Sequence, residues 1–240
     1  MKALGAQARV EVGLTIRRGE SLLLIVGIPV VLLAFFSTVN VLPDGGFPDS
    51  VDFLAPGILA VAVMSTAMVQ LAIGTAFERQ YGVLKRLGAT PLGRPRLLAA
   101  KTTATLLVEA MQIALLVALA LALGWEPSVR PGFVLALLLG TIAFSGLGLL
   151  IAGTMRGEMT LAAANGLYLV LLLVGGMVVP LSALPSGMRA VAELLPSGAL
   201  AQALVGTLAA GRTVPTKAWI VLAAWAVIGP VLAARFFRWE

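Results

Sequence analysis

The chain has no cysteine and no histidine in 240 residues. The first absence excludes disulfides and thiolate metal sites, and the second removes the commonest general base and the commonest transition-metal ligand. Charge is scarce too. Asp, Glu, Lys and Arg make up 12% of the residues, where a soluble domain carries about a quarter. With a mean hydropathy of +1.02, there is too little polar surface to cover a soluble core, so the composition is that of a membrane protein. Motifs of catalysis are missing as well. The dipeptide Gly-Lys occurs nowhere, and Lys101-Thr102 lacks the Gly-rich loop of a phosphate-binding motif. No His-Glu-x-x-His, Gly-x-Ser-x-Gly or Ser/Lys arrangement lies at a membrane boundary. ATP hydrolysis and metal chemistry are therefore not expected of this chain.

What is present is a set of long apolar runs. A span needs about 20 apolar residues, and six stretches qualify: 21–42, 53–77, 99–124, 132–153, 160–181 and 216–237. Of the seventeen basic residues, thirteen fall in the N-terminal segment, the 78–101 loop, the 154–159 turn and the tail, and four in the other three connections. The positive-inside rule puts both termini in the cytoplasm. The first connection on the other side, "PDGGFPDSVD", has three Asp and no basic residue. Residues 1–40 do not read as a cleaved signal peptide, since the apolar run is too long and "FFSTVNVL" offers no small-residue cleavage site. Arg outnumbers Lys thirteen to four, a balance read as that of a high-GC bacterial genome.

Three segments are not simple spans. In the N-terminus, residues 1–20, Ala3, Ala6, Val10 and Leu14 recur at helical spacing while Arg9, Glu11, Arg18 and Glu20 fall mostly elsewhere. This reads as a helix lying in the membrane interface. The loop "FERQYGVLKRLGATPLGRPRLLAAK" carries six of the basic residues. Here Glu78 is expected near the start of a short helix, where a carboxylate suits the dipole. Tyr81, Leu84 and Gly88 are expected to share a side, with Val83 and Leu87 beside it and Lys85 and Arg86 pointing away. Gly88 caps that helix, and Pro91 and Pro95 stop it continuing. Headgroup anchoring accounts for the Lys and Arg of this loop, at about 1 kcal/mol each. It leaves Glu78, Tyr81 and the arrest at Gly88, Thr90 and Pro91 without a reason. The outer connection, 182–215, is apolar but broken by Pro185 and Pro196. It is expected to form two short helices dipping back toward the bilayer, each begun at a Pro-Ser-Gly.

Polar residues inside the expected spans are Gln70, Glu109, Gln112 and Asn165. Glu109 and Gln112 share a helix face, and an intramembrane carboxylate is a functional candidate by default. The competing reading is a packed contact between helices. Met64 and Met68 lie four apart on the second span, where a flexible Met face could grip apolar ligands or pack the core. Gly140, Ser145, Gly146, Gly148, Ala152 and Gly153 let the fourth span approach its neighbours closely.

"FERQYGVLKRLGATPL" followed by "LLAAK" resembles the cytoplasmic loop signature of ABC-2 type exporter permeases. "LLLVGGMVVPLSALPSGMRAVAELLPSGALAQAL" is similar to that family's fifth span, outer exit and re-entrant helices. The nearest resemblance is to the drug-resistance, daunorubicin-type permeases. Gln80 stands where an acidic residue is usual, Val83 where Thr is common, and Gly175-Gly176 in place of Ser-Gly. The resemblance covers essentially the whole chain as one domain, 1–240. It implies an all-α integral membrane fold of six transmembrane helices, with an N-terminal elbow helix, a cytoplasmic coupling loop over 78–98 and two re-entrant helices before the last span. That is the type V, ABCG-like exporter fold.

The resemblance also implies a mechanism. Two permease copies, identical or paralogous, would work with two separate ATPase subunits in a bacterial cytoplasmic membrane. ATP and Mg would be used by the ATPase, and this chain would bind no cofactor and no metal. Glu78, Arg79, Tyr81, Gly82, Leu84, Lys85, Arg86, Leu87, Thr90 and Pro91 would form the coupling element. Met64, Met68, Asn165 and Leu172 would line a cavity that alternates access for a hydrophobic or amphipathic cargo such as a drug, antibiotic or lipid. Nucleic acid is not an expected partner. Two alternatives stand beside this reading: a membrane channel or scaffold without an ATPase, and an intramembrane lipid-modifying enzyme built on Glu109.

Overall fold

Backbone polar groups in a bilayer must be satisfied within their own segment, which leaves long runs of Leu, Val, Ala and Ile to form helices. The computed structural model describes residues 13, 19–38, 50–88 and 94–238, and no strand occurs among them. In chain order the elements are α1 (Gly19–Thr38), α2 (Ser50–Met64), a π-helical segment (Ser65–Gln70), α3 (Leu71–Gln80), α4 (Val83–Gly88), α5 (Arg94–Ala122), α6 (Gly132–Thr154), α7 (Gly157–Val174), a 3-10 turn (Leu181–Ala183), α8 (Ser186–Ala192), α9 (Pro196–Leu208) and α10 (Thr216–Phe236).

Among the described residues, five stretches are long and apolar enough to cross a membrane: Val51–Gln80, Arg96–Ala122, Gly132–Thr154, Gly157–Val174 and Thr216–Phe236. α8 and α9, bent by 86°, make a sixth if counted as one. The first expected crossing, 21–42, corresponds to α1, a helix of 20 residues. The expected interfacial helix over 1–20 lies almost wholly outside the described residues. The fifth crossing ends at Val174 rather than at 181, because Gly176 takes φ +70° and turns the chain. A side chain at Gly176 would also meet Leu181. Both Pro-Ser-Gly triplets do start helices, at Ser186 and Pro196.

The second crossing is the hub. Two thirds of its apolar window (67%) is buried inside the chain, against 22% for α7 and for α10. Lipid tails are as apolar as Leu, so close packing has to hold these helices together in place of water exclusion. α6 does this with small residues. A Cβ on Gly146 would sit 2.4 Å from the Gly229 carbonyl carbon of α10, and one on Gly148 would sit 2.5 Å from the Met68 carbonyl oxygen of the π segment. The backbones therefore touch, at positions where a larger residue would force them apart. Ala60 to Met64, Ala67 and Met68 lie in the main core with Leu116, Phe144, Leu171 and Leu200.

Candidate functional site

The basic hairpin between the second and third crossings grows directly out of α3. Glu78 sits on the last turn of α3, and its carboxylate accepts from the Lys101 ammonium of α5 at 2.6 Å. Lys101 is 2% exposed and Glu78 14%. This corrects the expectation that Glu78 opens a short helix: its electrostatic partner is a cation on the neighbouring crossing rather than a helix dipole. Arg79, the next residue, donates to the Met155 carbonyl in the turn between α6 and α7. The acidic-basic pair thus ties the end of α3 to two neighbours at once.

Beyond it, Tyr81 stacks on Phe77 with ring centroids 6.2 Å apart. Gly82 then takes φ +72°, a conformation that favours glycine, and α4 starts afresh at Val83. That break resets the helical phase. Leu84 is fully buried in a cluster with Leu97, Leu98, Leu149, Ala233 and Phe237, while Tyr81, Val83 and Lys85 are exposed. Tyr81 and Leu84 therefore do not share a side, contrary to expectation, because continuous 3.6-residue periodicity does not run through Gly82. α4 is helical through Gly88, and the expected stop beyond it lies outside the described residues. Arg86 and Leu87 are described as helical backbone alone, and Thr90 and Pro91 lie outside the described residues.

A second group of polar residues lies within the bundle. Glu109 and Gln112 share a buried face of α5. The Thr141 hydroxyl of α6 lies in hydrogen-bond contact with the Glu109 Oε2, and the Glu109 Oε1 has no hydrogen-bond partner among the described residues. The Thr66 hydroxyl of the π segment donates to the Gln112 Oε1 at 2.9 Å. Gln70, the last π position, is half-buried. Nothing in the sequence singled out Thr66 or Thr141, since a lone Thr in an apolar run carries no spacing signal. The Glu78–Lys101 pair was equally silent, its members being 23 residues apart.

The four residues expected to line a cavity divide. Met64 and Met68 are fully buried in this chain's own core. Asn165 is exposed on α7, where its amide donates to the Leu161 carbonyl, and Leu172 is half-buried against the core. The face of α7 that carries Asn165 also exposes Leu161, Leu169, Val170 and Leu173. At the opposite end of the bundle, Glu193 after α8 accepts from Lys217 at 2.8 Å and pairs with Arg189 at 3.5 Å. The Lys217 hydrogen bond, with the charges of Lys217 and Arg189 behind it, holds the Glu193 carboxyl below its ordinary pKa against a smaller opposing effect of burial. The Trp225 indole N–H of α10 donates to the Leu194 carbonyl nearby.

A comparison with curated proteins gave no match. The sequence profile of the ABC-2 type transporter family matches residues 7–209.

Proposed function

Because the chain belongs to the ABC-2 type transporter family, we propose that it is the permease subunit of an ATP-driven exporter for a hydrophobic or amphipathic cargo. Membership implies a membrane permease of an ABC transporter, a transport subunit rather than a catalyst, that associates with an ABC ATPase partner.

The seating of α4 carries the proposal further. A helix that hands on movement from a motor must be rooted on one side and free on the other. Leu84 roots it in the bundle, Glu78 and Arg79 fix the helix that precedes it, and Tyr81, Val83 and Lys85 are left exposed. These three present an aromatic, an apolar and a cationic contact to a cleft on the ATPase. Both termini and the hairpin face the cytoplasm of a bacterial cell, following the distribution of basic residues. Two copies, or this chain and a paralogue, face each other across a cavity walled in part by α7. Between Leu161 and Leu173 that helix has no charged residue, and Asn165 and Tyr168 are its main polar side chains. Such a wall suits a drug, an antibiotic or a lipid better than a polyanion.

The test is to co-express the chain with an ABC ATPase of the same genome, purify through a tag on the permease, and measure ATP turnover in lipid. Co-purification is expected, with the double variant Tyr81→Asp/Val83→Asp losing the ATPase while remaining folded. Lipid anchoring by the basic loop would tolerate that variant. Absence of any bound ATPase, or unchanged turnover in the double variant, would overturn the reading.

A further inference from the structure

The most buried crossing is also the one that leaves α-helical geometry. Ser65–Gln70 forms a π segment although its sequence, STAMVQ, holds neither Pro nor Gly. Its neighbours hold it in place. The Thr66 hydroxyl is bonded to Gln112, and the backbone of Gly148 presses on the Met68 carbonyl. At the cytoplasmic end the backbone N–H groups at the Leu71 cap bond back to the Thr66 and Met68 carbonyls, where the chain returns to α-helix. A π turn accommodates one residue more than an α turn, and such bulges concentrate at functional sites.

Both ends of this crossing are fixed. Near the outer end, Gly57 lies so close under the Met177 carbonyl that a Cβ would stand 1.9 Å from its oxygen. At the cytoplasmic end Glu78 is paired with Lys101, and Arg79 is bonded to Met155. The extra residue therefore has no exit, but it can move along the helix, turning each residue it passes by about 100°. Outward travel runs through Ala60, Val61, Ala62, Val63 and Met64 as far as Pro56, which lacks the N–H needed to continue the pattern. Those five residues are fully buried here. Four of them are small or β-branched, and Met64 is a long, pliable apolar side chain of the kind that fits varied partners.

We propose that during the transport cycle the π segment moves outward by about one turn, breaking the Thr66–Gln112 bond and rotating Met64 from the core onto a face that meets the cargo. Met64 is then a cryptic part of the binding surface, buried in the state described here and displayed in the other. The proposal rests on the exporter reading, and the Thr66–Gln112 bond is the catch that biases the element between its two positions.

The chain's lack of cysteine makes the test direct. Single cysteines are placed at Val61, Val63, Met64 and Gln70 in the complex with its ATPase, and reaction with a membrane-permeant maleimide is timed without nucleotide and with ATP plus vanadate. Co-purification of the ATPase is read first, so a failure of the exporter reading is seen separately. Rotation requires Met64→Cys to react at least tenfold faster in one state, without a parallel rise at Val63→Cys, which projects about 100° away. The Thr66→Val variant, which removes the hydroxyl and keeps the shape, should raise Met64→Cys labelling without nucleotide. Equal labelling of Met64→Cys in both states and in the Thr66→Val background would overturn the proposal. So would a common rise at Val61, Val63 and Met64, since that is an opening of the bundle without rotation.

Discussion

Two ion pairs of the same residue types stand at opposite ends of the bundle. Glu78–Lys101 and Glu193–Lys217 span 23 and 24 positions in sequence and measure 2.6 and 2.8 Å. Their surroundings separate them. The side chains of the first are 14% and 2% exposed, those of the second 27% and 53%. Distance alone would rank them together, and burial does not. An exposed pair gains little because water solvates both ions well when apart. A buried pair is costly to form, and far costlier to break, because the survivor is left as an uncompensated charge in a poor solvent. The first pair therefore determines whether the base of the hairpin can exist in this position, and the second trims the fit of the outer turn.

The largest expected effect breaks the first pair on one side. Glu78→Gln takes the carboxylate away from the buried Lys101 ammonium, which costs on the order of 3–5 kcal/mol. Thermal melts of the purified chain in detergent should show it. The double variant Glu78→Gln/Lys101→Met should recover most of the loss, and a double variant as unstable as the single one would refute the comparison.

Glu109 sharpens the comparison from the middle. It is as buried as Lys101, but its described partner is the neutral hydroxyl of Thr141. Glu109→Gln keeps a hydrogen-bonding group of the same shape, so the same melts should move by about 1 kcal/mol, the size of one neutral hydrogen bond. A loss as large as that of Glu78→Gln would mean that Glu109 answers to a charge.

Lys217→Met should cost about 0.2–1 kcal/mol at low salt. In 1 M salt, where the screening length is about 3 Å, that difference should vanish while the cost of Glu78→Gln persists. The smallest effect is in pH. Glu193 has a folded pKa below its unfolded one, so its contribution is present above the unfolded value of about 4.3 and is lost as pH falls through the lower folded value. Hydrogen exchange of α8, corrected for its intrinsic pH dependence, should be flat from pH 7 to about pH 5 and weaken below about pH 4. Lys217→Met should remove that acid limb.

The helices were legible because lipid permits few alternatives. Apolar length placed four crossings within a few residues and the start of the one whose end Gly176 brings forward, and the Pro-Ser-Gly triplets marked two helix starts. The small residues of α6 announced close packing, though not that Gly146 would meet Gly229 and Gly148 would meet Met68. Where the reading of the hairpin failed, it had carried one helical phase from Glu78 through Gly88, whereas Gly82 divides that stretch into the end of one helix and the start of another. Core packing of Met64 and Met68 was one of two readings their spacing left open, and the structure takes it. Periodicity shows that two residues share a face, and the face they share is chosen by helices far away in sequence. The π segment left no mark, since its cause lies in Gln112 and Gly148 rather than in its own six residues.

The contact between α6 and α10 at Gly146 and Gly229 carries one more consequence. Main-chain atoms there meet without intervening side chains, so no acyl tail can wedge between the two helices, and neither can roll without colliding with the other. They behave as a single plank. Any gap that opens to let a molecule through must form along other edges of the protein, and the sparsely covered flank of α7 is where the wall is thinnest.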